Sequence, residues 1–336
     1  MADVPATFRA FVVDRTSDAF RRGICDLSEG DLPPGEVLVR VRWSGVNYKD
    51  GLAARADGKV ARRDVLVPGI DLAGEVVASD TASIPPGTSV IAHGYDIGVS
   101  RHGGYAEYAR VPAEWIVPLP RGLTMRDAMA IGTAGFTAAM AVTALEARGL
   151  RPSSGPVLVT GAAGGLGRHA LGILAARGYE AWAATGKRDE EPRLRQLGAA
   201  GVLDRSEVTA ESPRPLESAR WAGAIDAVGG PTIPYVLRTL LPGAAVAACG
   251  NAGGPAFSTT ILPFILRGVA LLGMDSANMP IDERRALWDR IATDLRPAGL
   301  DEGSGVTEVG LEELDGALDA ILAGAARGRW VVRVGG

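Results

Sequence analysis

The sequence predicts an α/β protein in which a doubly wound parallel sheet is joined to a β-rich, barrel-like module. Three observations carry this expectation. From about residue 131 onward, strand-like and helix-like segments alternate, as they do where βαβ units build a parallel sheet. A short apolar strand at residues 157–160 runs directly into a glycine-rich turn and a helix. Before residue 130 the chain reads instead as short alternating strands separated by Pro and Gly turns.

The β-rich module is expected over residues 1–130 and 300–336, and the parallel-sheet domain over 131–299. A chain of 336 residues suits two domains, at roughly 150 residues each. Residues 37–43 (VLVRVRW) alternate apolar and polar, the mark of a half-buried strand. Residues 69–77 and 89–92 are further strands, separated by the turn signal Pro85-Pro86-Gly87, and residues 105–111 alternate again. Pro118 and Pro120 punctuate the chain before Thr124, which is placed to N-cap a helix beginning Met125-Arg126-Asp127. The alanine-rich, apolar stretch 134–147 predicts a buried helix. After the glycine turn and its helix come strand 180–185, helix 189–197 and strand 201–203. Later strands fall at 224–228, 244–248 and 269–272. A last helix, 311–323, precedes a terminal strand, 329–334, expected to return to the first module.

Composition narrows the class. Hydrophobic residues at 47% and charged residues at 22% supply a core and a solvated surface, which excludes a disordered chain. A net charge of −4 offers no basic field to nucleic acid or anionic lipid. No run of about 18 uninterrupted apolar residues predicts a membrane span. The N-terminus lacks the charged start and apolar run of a signal peptide. Cys25 and Cys249, expected as buried or half-buried thiols, suit a reducing cytoplasm. With His93, His102 and His169 they are too few for a disulfide framework or a four-cysteine zinc lobe. The histidines are expected to pack or to bond to loops. Lys49, Lys59 and Lys187 are the only lysines among 35 basic residues, a bias that base composition explains.

The segment VLVTGAAGGLGRHA (157–170) is the most informative. With Gly167 as the third glycine, the pattern G-x-G-x-x-G falls on Ala162, Gly164 and Gly167. Gly164 lets the backbone approach a pyrophosphate, and Gly167 lets the helix pack closely on the strand. The free N–H groups and dipole of the helix start favour that anion. A dinucleotide site is therefore expected in a Rossmann-type sheet. NAD sites carry an acidic residue about 20 positions beyond the glycines. Here Lys187 lies 20 positions beyond Gly167, and no carboxylate occurs between Thr185 and Asp189. Thr185 with Lys187 and Arg188 suits a 2′-phosphate, and Arg205 can add a contact, so NADPH is the expected cofactor. The alternative is that Lys187 and Arg188 simply begin a solvated helix.

Further blocks, in order, are SGVNYKD (44–50), PGIDLAG (68–74), GGYAEY (103–108) and GTAGFTA (132–138). Together they resemble the medium-chain dehydrogenase/reductase superfamily, which joins a GroES-like module to a Rossmann domain. AAGGLG (162–167), IDAVGG (225–230), PFILRG (263–268), LLGMDS (271–276) and GRWVV (328–332) narrow the resemblance. They are similar to the zinc-free quinone-reductase-like branch, and within it to the acrylyl-CoA reductase group. Where zinc alcohol dehydrogenases of that superfamily have Cys-His, this chain has Asn47-Tyr48. Where they have Gly-His-Glu, it has Gly69-Ile70-Asp71. A catalytic zinc needs about three nitrogen, sulfur or carboxylate ligands, so no metal is expected.

The chemistry implied is hydride addition to the β-carbon of a C=C bond conjugated to a carbonyl. Enolate charge develops on the carbonyl oxygen and a proton reaches the α-carbon. The implied substrate is a short 2-enoyl-CoA such as acrylyl-CoA. Alternatives are a quinone or free enone reductase and a non-catalytic NADPH-binding protein. Tyr48 is the candidate to position the nicotinamide or relay a proton, or else it only packs on ribose. Asn47 is expected as an amide donor beside it, and Asp71 to orient Tyr48 or Lys49, or else to cap a turn. The resemblance further places Tyr48, Ala163, Gly164, Gly165, Leu166, Thr185, Gly186, Lys187, Arg205, Asn251, Ile265 and Ser276 on the cofactor. The family is usually apolar at the Asn251 position, and more often polar near Ala323 or Gly324. Coenzyme A phosphates would need an arginine from among Arg55, Arg62, Arg63, Arg101 and Arg267. The superfamily commonly forms homodimers through sheet edges, here around residues 269–272.

Overall fold

The computed structural model describes residues 5–16, 20–300 and 305–335. The chain divides into two compact units: Met1–Thr133 with Ala277–Ala292 and Leu300–Gly336, and Ala134–Ser276 with Thr293–Gly299. The first begins with strands β1 (Phe8–Asp14), β2 (Arg21–Leu27) and β3 (Val37–Val46), helix α1 (Tyr48–Ala53), and strands β4 (Val65–Leu66) and β5 (Asp71–Ser79). Strands β6 (Ser89–His93), β7 (Tyr108–Val111) and β8 (Val117–Pro118) follow, then helix α2 (Met125–Ala147). In β3, Val39 and Val41 are fully buried while Arg40 and Arg42 are only partly so, as the alternation requires. Two register shifts against β5 bend this strand and help curl the sheet. Thr88 N–H bonds the Pro85 carbonyl at 3.2 Å across a turn in which Gly87 takes φ +86°, the geometry for which Pro-Pro-Gly is suited. The expected strand 105–111 is shorter, because Ala106 bridges to Ala10 and the Tyr105 carbonyl accepts Phe11 N–H. Cys25 is exposed, contrary to the expected buried thiol, because the β2 edge strand carries it outward.

The second unit contains strands β9 (Val157–Thr160), β10 (Ala181–Thr185), β11 (Ala199–Asp204), β12 (Gly223–Asp226), β13 (Ala245–Ala248) and β14 (Ala270–Gly273). Between them lie α3 (Gly165–Ala176), α4 (Glu191–Gln196), α5 (Arg205–Thr209), α6 (Thr232–Thr239) and α7 (Leu262–Arg267). The strands are parallel in the order β11-β10-β9-β12-β13-β14. This is the Rossmann order, which reverses between β9 and β12, where ligands bind outside the carboxyl ends. Val157, Leu158 and Val159 are fully buried, as a central strand covered on both faces must be.

The chain then returns to the first unit through α8 (Ile281–Ala292), β15 (Val306–Gly310), α9 (Leu314–Leu322) and β16 (Arg329–Arg333). Strand β16 pairs antiparallel with β3, from Trp330 opposite Val46 to Arg333 opposite Trp43. The expected boundaries placed residues 277–292 with the parallel sheet, whereas they pack on the first unit. Arg284, Leu287, Trp288 and Ile291 of α8 are buried at helical spacing. Trp288 and Arg284 reach His93, 195 and 191 positions away, a pairing that no local pattern announces.

Helix α2 is apolar and long enough to cross a membrane by composition alone, but 72% of its most apolar window is buried within the fold. Thr124 caps it, its Oγ1 accepting the Asp127 N–H at 3.0 Å. The helix breaks at Gly132, where φ is 50° and ψ −162°. A Cβ there would stand 2.5 Å from both Arg329 NH2 and Asp71 Oδ2. Gly132→Ala is therefore expected to cost about 2–4 kcal/mol, read as a lower urea midpoint at unchanged slope. An unshifted midpoint would show that the break is not needed.

Candidate active site

In the second unit, β9 ends at Thr160 and the chain turns through Gly161, at φ +60°, into α3. A Cβ on Gly167 would lie 2.5 Å from the Gly161 carbonyl oxygen, so only glycine allows this helix so close to the loop. At Gly164 the nearest atom to such a Cβ would be that same oxygen, at 3.3 Å, with nothing else in close contact. The first N–H groups of α3, from Gly165 and Leu166, have no intrahelical acceptor and present a positive dipole end. Ala162 N–H bonds the Ala184 carbonyl at 3.1 Å, tying the loop to β10. The loop thus has the features that a pyrophosphate requires.

At the end of β10, Thr185 Oγ1 accepts the Lys187 N–H at 3.0 Å and turns the chain at Gly186. A Cβ on Gly186 would stand 3.2 Å from the Arg205 guanidinium, so that side chain lies against the turn. Thr185, Gly186, Lys187 and Arg205 therefore come together at one corner, next to Ala163, Gly164, Gly165 and Leu166. Arg188 pairs with Asp204 at 3.3 Å. The corner is cationic and β10 ends without a carboxylate, which fits a 2′-phosphate.

The remaining expected contacts are more scattered. Asn251 is exposed beyond β13, and Ile265 stands 65% exposed on α7. Ser276, buried after β14, accepts a 2.8 Å hydrogen bond from Thr137 Oγ1. Sequence reasoning missed Asp226, which organises the strand-order reversal. Its buried carboxylate accepts Thr160 Oγ1 at 2.5 Å, Thr232 Oγ1 at 2.5 Å and Gly229 N–H at 2.6 Å. The block IDAVGG contained the signal: an acidic residue at a strand end, just before glycines.

In the first unit, Asn47 begins α1. Its backbone N–H and amide Nδ2 donate to Asp50 Oδ2 at 2.8 and 3.2 Å. Asp50 Oδ1 accepts Ile70 N–H at 2.8 Å and Gly69 N–H at 3.2 Å. Asp71, with no exposed surface, accepts Asn47 Nδ2 at 2.8 Å, Thr133 Oγ1 at 2.5 Å and Thr133 N–H at 3.1 Å. Arg329 lies 3.7 Å from Asp71 and donates to Asn47 Oδ1 at 3.0 Å. Its guanidinium also bonds the Met129 and Ala130 carbonyls at 3.0 and 2.9 Å. In an unbroken helix those carbonyls would take the N–H groups of residues 133 and 134.

These bonds revise two expectations. Both amide hydrogens of Asn47 are committed to carboxylates, so it is no spare donor. Asp71 holds Asn47, Thr133 and Arg329 instead of Tyr48 or Lys49. Tyr48 is 42% exposed at the start of α1, and its hydroxyl bonds no described residue. Of the three catalytic candidates, only Tyr48 keeps an available polar group. The Asn47-x-x-Asp50 capping spacing was readable in the sequence. Arg329 was not, since its partners lie 199 to 283 positions away.

His93 extends this cluster. Trp288 Nε1–H donates to His93 Nε2 at 2.8 Å, and His93 Nδ1 lies 3.3 Å from Thr133 Oγ1. Because the indole only donates, Nε2 accepts, and the Arg284 guanidinium lies 3.0 Å from both ring nitrogens. Thr133 Oγ1 stands between His93 and Asp71, donating to Asp71. Burial and the neighbouring Arg284 charge hold His93 well below the usual histidine range, so it is neutral. His102 Nδ1 accepts the Val67 N–H at 3.1 Å, and burial lowers it to about 4. Among the described residues, no three His, Cys, Asp or Glu side chains gather into a metal-holding group.

Burial, with the charge of Asp71, pushes the Asp50 carboxyl up to about 6. Its contribution to stability is complete below the unfolded carboxylate range and is lost as pH rises through about 6. Between about pH 5 and pH 7 the wild-type Tm should therefore fall relative to that of Asp50→Asn. A constant difference in thermal melts would show that Asp50 does not titrate there. For the other unit, Lys187→Glu should weaken NADPH binding far more than NADH binding in fluorescence titrations. Equal losses would show that Lys187 reads no 2′-phosphate.

Residues 33–121 match the family described as the alcohol dehydrogenase GroES-like domain. Acrylyl-CoA reductase AcuI of Ruegeria pomeroyi is 47% identical over 97% of this chain and 99% of its own length. Putative quinone oxidoreductase YhfP of Bacillus subtilis is 45% identical, covering 97% of this chain and 99% of that relative. The YhfP structure, with NAD bound, has a TM-score of 0.94 and covers 98% of this chain and all of that one. The Salmonella enterica yhdH oxidoreductase in complex with NADP is 43% identical, with a TM-score of 0.93 over 97% of this chain and 100% of that one. The chain therefore belongs to the medium-chain dehydrogenase/reductase superfamily, in the group that holds the AcuI and YhfP proteins.

Proposed function

We propose that the protein is an NADPH-dependent reductase of the C=C bond of a short 2-enoyl-CoA, with acrylyl-CoA as its substrate and propanoyl-CoA as its product. The observation that carries this function is the end-to-end similarity to acrylyl-CoA reductase AcuI. The cationic corner of Thr185, Gly186, Lys187 and Arg205 supports NADP over NAD. NADPH, when bound, supplies the hydride for the β-carbon.

The residues of the chain divide the remaining work. Ala163, Gly164, Gly165 and Leu166 hold the pyrophosphate with backbone N–H groups and the α3 dipole. Lys187 and Arg205 hold the 2′-phosphate, and Asn251, Ile265 and Ser276 are assigned further cofactor contacts. Tyr48 Oη can hold or pass a proton, or donate a hydrogen bond to the oxygen on which enolate charge develops. Asn47 and Asp71 act through the frame that fixes the start of α1 and are positioning residues. Among the arginines considered for coenzyme A phosphates, Arg267 is engaged with the Arg238 and Leu240 carbonyls and Arg55 with Asp57. Arg62 pairs with Asp96 at 3.9 Å, and the exposed Arg63 is preferred. We place the protein in the cytoplasm, without nucleic-acid or membrane partners. As a homodimer it would pair through the β14 edge, beside the exposed Ile261, Ile265 and Leu266.

A quinone-reducing activity is the second reading, favoured by the comparable similarity to YhfP. Following NADPH absorbance with acrylyl-CoA and with a small quinone separates the two. The expected kcat/KM for acrylyl-CoA exceeds that for the quinone by at least about tenfold, or roughly 1.4 kcal/mol in barrier. No turnover of any enoyl-CoA above background would overturn the proposal.

A further inference from the structure

Arg168 is an unexpected residue at its position. It follows Gly167 directly, in the first turns of α3, where the helix dipole disfavours a cation. Its side chain is nonetheless buried and forms an ion pair with Glu190, which is buried too. Taking two such charges out of water costs several kcal/mol per ion before their attraction offsets it. Neither helix propensity nor core packing requires this arrangement.

The bonds around the pair join two loops. Arg168 Nε donates to the Ala163 carbonyl at 3.2 Å, inside the glycine loop. Glu190 closes the short helical turn Arg188–Glu190, and its N–H bonds the Lys187 carbonyl at 3.1 Å. A continuous path therefore runs from the Lys187 carbonyl through Glu190 and Arg168 to Ala163. One end belongs to the turn with the cationic corner and the other to the pyrophosphate loop. Glu190 also neutralises Arg168, so the Arg168 charge is spent within the pair.

We propose that Arg168 and Glu190 are a positioning pair for cofactor choice. They lock the Lys187 turn to the glycine loop, so the 2′-phosphate site is built before the ligand arrives. This rests on the NADPH function proposed above. Holding the turn in place removes an ordering cost from binding. A ligand lacking the 2′-phosphate does not use Lys187 and gains little from it.

The test is a double-mutant cycle read by equilibrium binding of NADPH and of NADH to the full chain. The variants are Glu190→Gln, Lys187→Ala and their combination. Glu190→Gln should weaken NADPH binding about 5- to 20-fold and NADH binding less than about twofold. In the Lys187→Ala background, Glu190→Gln should change the NADPH/NADH ratio hardly at all. Because Glu190→Gln leaves a buried cation, the paired variant Arg168→Met with Glu190→Leu is measured as well. It should fold, by circular dichroism, and lose the same selectivity. If wild type prefers NADPH and the folded variants keep the full preference, or the cycle is additive, the positioning role is overturned alone. If wild type shows no preference for NADPH, the cofactor assignment fails and the positioning role with it.

Discussion

A carboxylate removed from water must be met by donors or the fold loses several kcal/mol, and Asp71 is the point where this protein meets that demand. Donors come from Asn47 at the start of α1 and Thr133 after the break in α2, and the Arg329 charge on the last strand lies 3.7 Å away. Each of those segments is shaped by the need to arrive there. The helix breaks at Gly132, so Thr133 points its N–H and hydroxyl at Asp71 instead of continuing the helix. The break strands the Met129 and Ala130 carbonyls, and Arg329 bonds both. One buried charge thus explains a broken helix, a buried guanidinium and the seating of the final strand on β3.

The second unit follows a different rule. Its strands are parallel and buried, so the chemistry appears only where they end. Gly161 and Gly167 remove side chains where helix and loop approach closely, and Asp226 bonds Thr160 at the end of β9 and Gly229 and Thr232 just after β12. The first unit adds a buried polar network to a broad apolar core. The second is held by apolar strands with polar caps at one edge.

Much of the candidate cofactor region was legible because its signals are local. The strand, the glycine turn and the cationic end of β10 lie within 31 residues, from Val157 to Lys187, and each is a matter of spacing on one βαβ unit. The N-cap at Thr124 and the turn at Gly87 were legible for the same reason. The surroundings of Asp71 were not. Asn47 and Asp71 stood out by comparison with zinc enzymes, yet the commitment of both Asn47 amide hydrogens appears only once Asp50 and Asp71 are brought together. His93 read as an ordinary packed histidine, whereas Trp288, Arg284 and Thr133 all converge on its ring.

By itself the sequence determined the fold class, the strand order's raw material, the glycine loop and the cationic end of β10. Those properties depend on hydrophobic period, turn chemistry and neighbours a few residues apart. Tertiary structure alone decided which polar groups remain available. Arg329 meets partners 199 to 283 positions upstream, and α8 crosses to His93 from 191 positions away. Hydrogen-bond satisfaction is a property of the closed network, and no segment carries it alone. That network spends Asn47 and Asp71 on structure and leaves Tyr48 exposed at the start of α1.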